Sequence, residues 1–257
     1  MAQDPGAQRR ADAAALKAEA AAAAKRDQRV KLLGGVAVLG VCVLLVGMAV
    51  MGAKSKQAPA ANADSAQPKG TIAKTWGFPV QPVDAAKSTL VVYEDPQCPI
   101  CKLFEQQYGS AIMELATGGK INVVYQMANF IDDNMPQSDH ASRRAIGGLG
   151  CAIDQGVGLE YHSLIYATQP AVEGVGWTDD TLRKLGGRAG LSGAKLTGFQ
   201  KCFDEGTYLG WADNLGQYFR DQQIPGTPTL VLDGTTVPDA ALSTVQTLVD
   251  YITKNAK

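Results

Sequence analysis

The sequence predicts an α/β domain that is interrupted by an all-helical block and preceded by a single transmembrane helix. Three observations carry this reading. An apolar strand run, a helical run and a second strand run, Leu90-Val91-Val92-Tyr93 to Ile121-Asn122-Val123-Val124-Tyr125, follow one another within about 35 residues, the length of a parallel β-α-β unit with a right-handed crossover. Helix-patterned segments then occupy residues 136–223 with no strand signal of comparable length among them. Strand character returns at Thr229-Leu230-Val231-Leu232, so the helical block reads as an insertion.

Residues 1–29 are rich in Ala with interspersed charges, a composition of strong helix propensity and no apolar face, and they read as a solvated tail. Residues 30–52 are almost wholly apolar, long enough for the about 20 residues that a bilayer-spanning helix needs. Arg9, Arg10, Lys17, Lys25, Arg26, Arg29 and Lys31 stand before or at the start of this run, and only Lys54 and Lys56 follow closely. That asymmetry places the N-terminus in the cytoplasm and the remainder outside it. Small residues at Ala58, Ala60 and Ala63 could host signal cleavage, but the run exceeds the usual signal core of about 7–15 residues, so an uncleaved anchor is favoured. Cys42 within it reads as a small apolar filler. Residues 53–75, rich in Ala, Pro, Ser, Gln and Lys, read as a flexible tether.

The folded part is assigned to residues 76–135 and 224–257 around the insertion. Trp76, Phe78 and Val80 alternate as a short edge strand with Pro79 in it. Leu90 to Tyr93 reads as a strand buried on both faces. After it, Leu103, Phe104, Tyr108, Ala111, Ile112 and Leu115 recur at helical spacing until Gly118-Gly119. In the insertion, helices are expected near Ser138–Gln155, Leu159–Thr168, Asp179–Arg188, Gly193–Phe203 and Thr207–Gln222, with Thr178 and Ser192 as N-caps. Asp233-Gly234 signals a hairpin into Thr235-Thr236-Val237, and an amphipathic helix from Asp239 to about Lys254 closes the chain.

Chemistry concentrates at Cys98-Pro99-Ile100-Cys101, where the first strand hands over to a helix. Pro99 suits the first helical position, and a sulfur on Cys98 faces the free N–H groups and positive dipole end of that helix, which favours thiolate. Cys101, one turn further on, is placed to attack a mixed disulfide at Cys98. By spacing alone, the same motif serves equally as half of a zinc site. Of the remaining cysteines, Cys151 and Cys202 both fall in the helical block; paired with each other, neither bridge crosses between subdomains, and they read as a structural disulfide. They lack a matching C-x-x-C, which weakens the zinc reading, and no metal is assigned. His140 and His162 lie in helical segments and read as surface or partly buried structural residues, which leaves a cysteine protease weakly supported. With 46% hydrophobic residues, a formal net charge of -1 and no long basic run in the folded part, the chain is globular and nucleic-acid binding is disfavoured.

Glu94-Asp95-Pro96-Gln97-Cys98-Pro99-Ile100-Cys101-Lys102, followed by Gly226-Thr227-Pro228-Thr229, resembles the DsbA-like thiol-disulfide oxidoreductases of the thioredoxin superfamily, from about Ser88 to the C-terminus. The paired helical-domain cysteines and the anchor are most similar to the actinobacterial, envelope-facing members. The resemblance implies a thioredoxin fold with an inserted helical domain, Cys98 as nucleophile, Cys101 as resolving thiol, and Pro228 as a cis-proline that turns the Thr227 backbone toward the sulfur to pair with an extended substrate. The chain is read as a monomeric oxidase without a cofactor, with a disulfide reductase or isomerase, or a non-catalytic binding or metal-binding module, as the alternatives. Its clients are envelope or secreted proteins with free thiols, and a membrane quinone-linked partner, such as a vitamin K epoxide reductase homologue, reoxidises it. Two departures stand out. Pro99-Ile100 lacks the histidine that many members carry between the cysteines, so a less strongly oxidising disulfide is expected. Val92 occupies the position six residues before the nucleophile where related folds place a buried acid, so Glu94 or Asp95 is the candidate proton relay, with a plain surface carboxylate as the alternative.

Overall fold

The computed structural model describes residue 62 and residues 64–84 and 87–257. The chain divides into two units, 1–56 and 57–257, and every described residue belongs to the second. The expected tail and membrane span therefore lie outside the described residues; among those described, no helix is long and apolar enough to cross a membrane.

A five-stranded sheet runs in the order β1-β3-β2-β4-β5, built from β1 (Phe78–Pro79), β2 (Thr89–Glu94), β3 (Asn122–Met127), β4 (Thr229–Leu232) and β5 (Thr235–Thr236). β2 and β3 are parallel, with Leu90 opposite Val123 and Glu94 opposite Met127. The helix α1 (Pro99–Thr117) connects them and buries Phe104, Tyr108, Ile112 and Ala116, one residue per turn. It ends where Gly119 takes a φ of +66°, a conformation that costs glycine little. Leu103, expected on the apolar face, points outward.

β2 is the central strand, and its alternation decides which way the site faces. Leu90 and Val92 pack with Phe104 and Tyr108 of α1, whereas Tyr93 packs on the opposite face with Ala128 and Phe219. Glu94 continues the Leu90–Val92 series, so its carboxylate is carried under α1. β4 runs antiparallel to β2, with Tyr93 opposite Thr229. The C-terminal end of β2 and the start of β4 thus meet at one end of the sheet, and the loops Asp95–Cys98 and Gly226–Pro228 are brought together there.

Between β3 and β4 lie α2 (Phe130–Asn134), a 3-10 turn (Pro136–Ser138), α3 (Ala141–Asp154), α4 (Gly158–Ala167), α5 (Asp179–Arg188), α6 (Gly193–Asp204) and α7 (Leu209–Asp221). The five-residue α2 carries no signal in the sequence, because so short a segment shows no periodicity. The buried residues of this block, among them Ile146, Leu149, Tyr161, Leu182, Phe199 and Trp211, join Leu90, Val92, Val123 and Tyr125 in one contiguous apolar cluster. The insertion therefore shares its core with the sheet. Thr178 caps α5 by accepting from the Thr181 N–H at 3.1 Å, whereas Ser192, at the N-cap of α6, makes no side-chain capping bond. The C-terminal helix is shorter than expected. Asp239–Leu242 is a 3-10 turn, and α8 (Val245–Asn255) begins after Thr244, which forms a capping box with Thr247.

Part of the segment read as a tether is held on the folded body. The Asn62 N–H donates to Asn214 Oδ1 at 2.8 Å, the Lys69 N–H donates to Asp154 Oδ1 at 2.9 Å, and Pro68 is buried. A proline- and glutamine-rich composition signals irregular backbone, but it does not say whether that backbone finds partners.

Candidate active site

Cys98 is the N-cap of α1, and its sulfur accepts from the Cys101 N–H at 3.4 Å. At the same end of the sheet, the Cys98 thiol donates to the Thr227 carbonyl at 3.3 Å. The Thr227–Pro228 bond is cis. Both cysteines are free thiols; Cys98 is 6% exposed and Cys101 fully buried. Beside them Ile100 and Leu103 stand out as apolar side chains 58% and 56% exposed.

These surroundings separate the two thiols. Cys98 is lowered from the ordinary 9.0 to about 6: the Cys101 side chain hydrogen-bonded to it contributes most, burial opposes it, and the Thr227 side chain and the backbone N–H groups of Cys101 and Ile100 add to the lowering. Cys101 is pushed well up, first by burial, then by its hydrogen bond to Cys98 and by the charge of Glu94.

Of the two carboxylates considered as proton relay, Asp95 is fully engaged. It accepts from the Gln97 N–H at 3.0 Å, the Ile131 N–H at 3.1 Å and the Ser142 hydroxyl, and so ties the active-site turn to α2 and α3. Asp132 supports the same junction, accepting from the Gln97 side-chain amide and the Ser142 N–H. Glu94 is the acid beside Cys101. It is fully buried, and burial raises its pKa well above the carboxylate range, with the Cys98 charge as the next cause.

His162 is not a surface or partly buried residue but a fully buried one, with Nε2 2.9 Å from Glu94 Oε2. Burial lowers its pKa, so the contact is a hydrogen bond to a neutral imidazole. Glu105 completes the cluster; burial first, and then the Glu94 charge, push it to about 7. Glu105 was legible in principle, since it lies four residues after Cys101 and so on the same helical face. Gln169 was not. It follows α4, and its amide donates to the carbonyls of Pro96 at 2.8 Å and Cys98 at 2.9 Å, closing the turn from the helical block. His140 is exposed and lies away from this cluster, at the N-cap of α3.

A thioredoxin family model matches residues 81–252. The chain belongs to the thioredoxin family. Among curated proteins, the serine/threonine-protein kinase PknE of Mycobacterium tuberculosis is 27% identical over 159 residues, 59% of this chain; the match spans only 28% of PknE's length. Among solved structures, the MdbA thiol-disulfide oxidoreductase of Actinomyces oris superposes with a TM-score of 0.60 at 18% identity, covering 80% of this chain and 95% of that one. Oxidised DsbA of Mycobacterium tuberculosis superposes with a TM-score of 0.54 at 20% identity, covering 70% and 100%. At these identities the likeness is one of fold: this thioredoxin-family chain has the DsbA type of architecture, a thioredoxin sheet with helices inserted between β3 and β4.

The structure also joins Cys151 to Cys202 in a disulfide, from α3 to α6, with a sequence separation of 51.

Proposed function

We propose that this chain is an extracytoplasmic thiol-disulfide oxidoreductase, acting as an oxidase that passes the Cys98–Cys101 disulfide to client proteins. The observation that carries the proposal is the lowered Cys98 pKa at a helix start, 3.3 Å from the Thr227 carbonyl. In the first step a client thiolate attacks Cys98 Sγ of the disulfide, the Cys98–Cys101 bond breaks, and Cys101 leaves and takes up a proton. A second client thiolate then attacks the client sulfur of the mixed disulfide, and Cys98 leaves as thiolate. The client dithiol is oxidised by two electrons and the Cys98–Cys101 pair is reduced by two. A stable Cys98 thiolate is a good leaving group in the second step and favours the reduced enzyme, which makes the disulfide an oxidant.

The neighbouring residues suit these steps. Glu94 is the carboxylate next to Cys101, in place to exchange its proton. The Thr227 backbone offers pairing groups to an extended client, and exposed Ile100 and Leu103 offer apolar contact to an unfolded one. In this reading residues 30–52 anchor the chain, the domain faces the cell envelope, and a quinone-linked membrane partner regenerates the disulfide. The chain acts as a monomer.

The test uses Cys101→Ala with Cys98 activated as a mixed disulfide with an aromatic thiol. A reduced, unfolded client with a single cysteine should displace that thiol and remain covalently bound, because neither Cys101 nor a second client thiol is present to resolve the adduct. Unchanged client thiols and no adduct would reject the proposal. Equilibration of the wild-type protein with glutathione separates the directions: a potential near that of thioredoxin, about −270 mV, would make it a reductase.

A further inference from the structure

Beneath the thiols, polar groups converge that the redox reading does not fully use. Among the described residues, six buried side-chain polar atoms lack a hydrogen bond of regular geometry, and three of them are Glu94 Oε1, Glu105 Oε1 and Tyr166 Oη. These three residues are neighbours: the Glu94 side chain interacts by hydrogen bonding with both Glu105 and Tyr166, so the three groups face one another. The other buried acids of this region show what satisfaction looks like. Asp95 accepts three hydrogen bonds, and Asp132 accepts from Gln97, Ser138, Ser142 and Arg143. Apart from His162 and Tyr125, Glu94 and Glu105 find only each other and Tyr166 as side-chain partners among the described residues, a tight like-charge cluster that a bound cation would satisfy better.

The arrangement selects the kind of partner. One ligand atom from each of Glu94, Glu105 and His162 lies within 4.8 Å of the other two. We propose that Glu94, Glu105 and His162 form a binding site for a divalent cation of the zinc class. The donor set is two carboxylate oxygens and one imidazole nitrogen, which zinc accepts readily and which calcium and magnesium, preferring all-oxygen shells, do not. Charge agrees: two carboxylates and a neutral imidazole are balanced by one divalent ion. The ligands come from the end of β2, the first half of α1 and the middle of α4, three regular elements in which the backbone holds each side chain in place.

There is also a way in. Glu105 and His162, with Gly109, Tyr125, Leu159 and Ser163, line a cavity of about 350 Å³ between α1 and α4. Through it a hydrated ion reaches the ligands without passing Cys98, and water from it completes the coordination. A bound ion joins the sheet and α1 to α4 of the insertion, so it acts as a cross-link between the two parts of the domain.

The experiment uses the full-length chain with Cys98→Ser and Cys101→Ser, which removes the thiols as competing ligands and makes the result independent of the oxidase reading. After equilibration with Zn²⁺ and removal of free metal, elemental analysis should find one zinc per chain, and the melting temperature should rise with zinc but not with magnesium. Glu105→Gln and His162→Gln, each added to that background, should weaken zinc binding by more than the about 10- to 100-fold typical of outer-shell partners. Glu105 is only partly buried, so its near-isosteric glutamine variant retains the fold, as circular dichroism would verify. No retained zinc in the double-serine protein, or equal retention with and without Glu105 and His162, would overturn the site.

Discussion

At the scale of single residues, the site works by giving two chemically identical thiols different surroundings. Cys98 has a helix start, a Thr227 side chain and a neighbouring thiol to hold its negative charge; Cys101 has burial and a nearby carboxylate to oppose it. Alkylation of the reduced protein should therefore modify Cys98 first, with a rate that titrates at about 6. Thr227→Val should raise that value, because the Thr227 side chain helps to hold the thiolate. The same shift sets a pH dependence of stability. A depressed thiol contributes stabilisation that is complete above the ordinary thiol value of 9.0 and is lost as pH falls through about 6. The stability advantage of the reduced protein over Cys98→Ser should accordingly shrink on acidification through that range, as denaturant titrations at several pH values would measure. A difference that stays constant from alkaline to acidic pH would mean that Cys98 is not the depressed group.

At the scale of elements, the active-site turn is held by groups far away in sequence. Gln169, just after α4, donates to the carbonyls of Pro96 and Cys98, of which that of Cys98 also accepts from the Lys102 N–H at 3.2 Å. Gln169→Ala should cost about 1–3 kcal/mol by leaving the Pro96 carbonyl without its donor, and hydrogen exchange should speed up in the Asp95–Cys98 turn. Within the insertion, close approach of helices rests on small residues of α3. A Cβ at Gly150 would lie 2.7 Å from Tyr208 Cβ, an atom that cannot move without the backbone. Gly150→Ala should thus destabilise the protein by about 1–3 kcal/mol in a denaturant titration, despite the better helix propensity of alanine.

At the scale of the whole molecule, the Cys151–Cys202 bridge closes a loop across a separation of 51 residues. Removing it with paired alanines should cost about 4 kcal/mol on the chain-entropy account, provided the comparison is made with Cys98 and Cys101 in the same redox state. Because the insertion shares one apolar cluster with the sheet, unfolding should remain a single transition in that variant. Two separated transitions would show that helices and sheet are independent units.

Local patterns were enough to establish β2, α1, β3, β4 and most of the inserted helices. In each of them, hydrophobic spacing and the Gly, Pro and Thr residues at the ends agree with the tertiary packing. The C-x-x-C at a helix start and the later Thr227-Pro228 were legible for the same reason, since each motif carries its own backbone requirement. Four features depended on the assembled structure. Asp95 is a strut and Glu94 the acid beneath the thiols; His162 is buried among carboxylates; Gln169 closes the turn; and residues expected to form a tether lie against α3 and α7. All four rest on contacts between residues distant along the chain. The period of a strand or helix says which face a side chain takes, but what waits on that face is decided only when β2, α1 and α4 pack together.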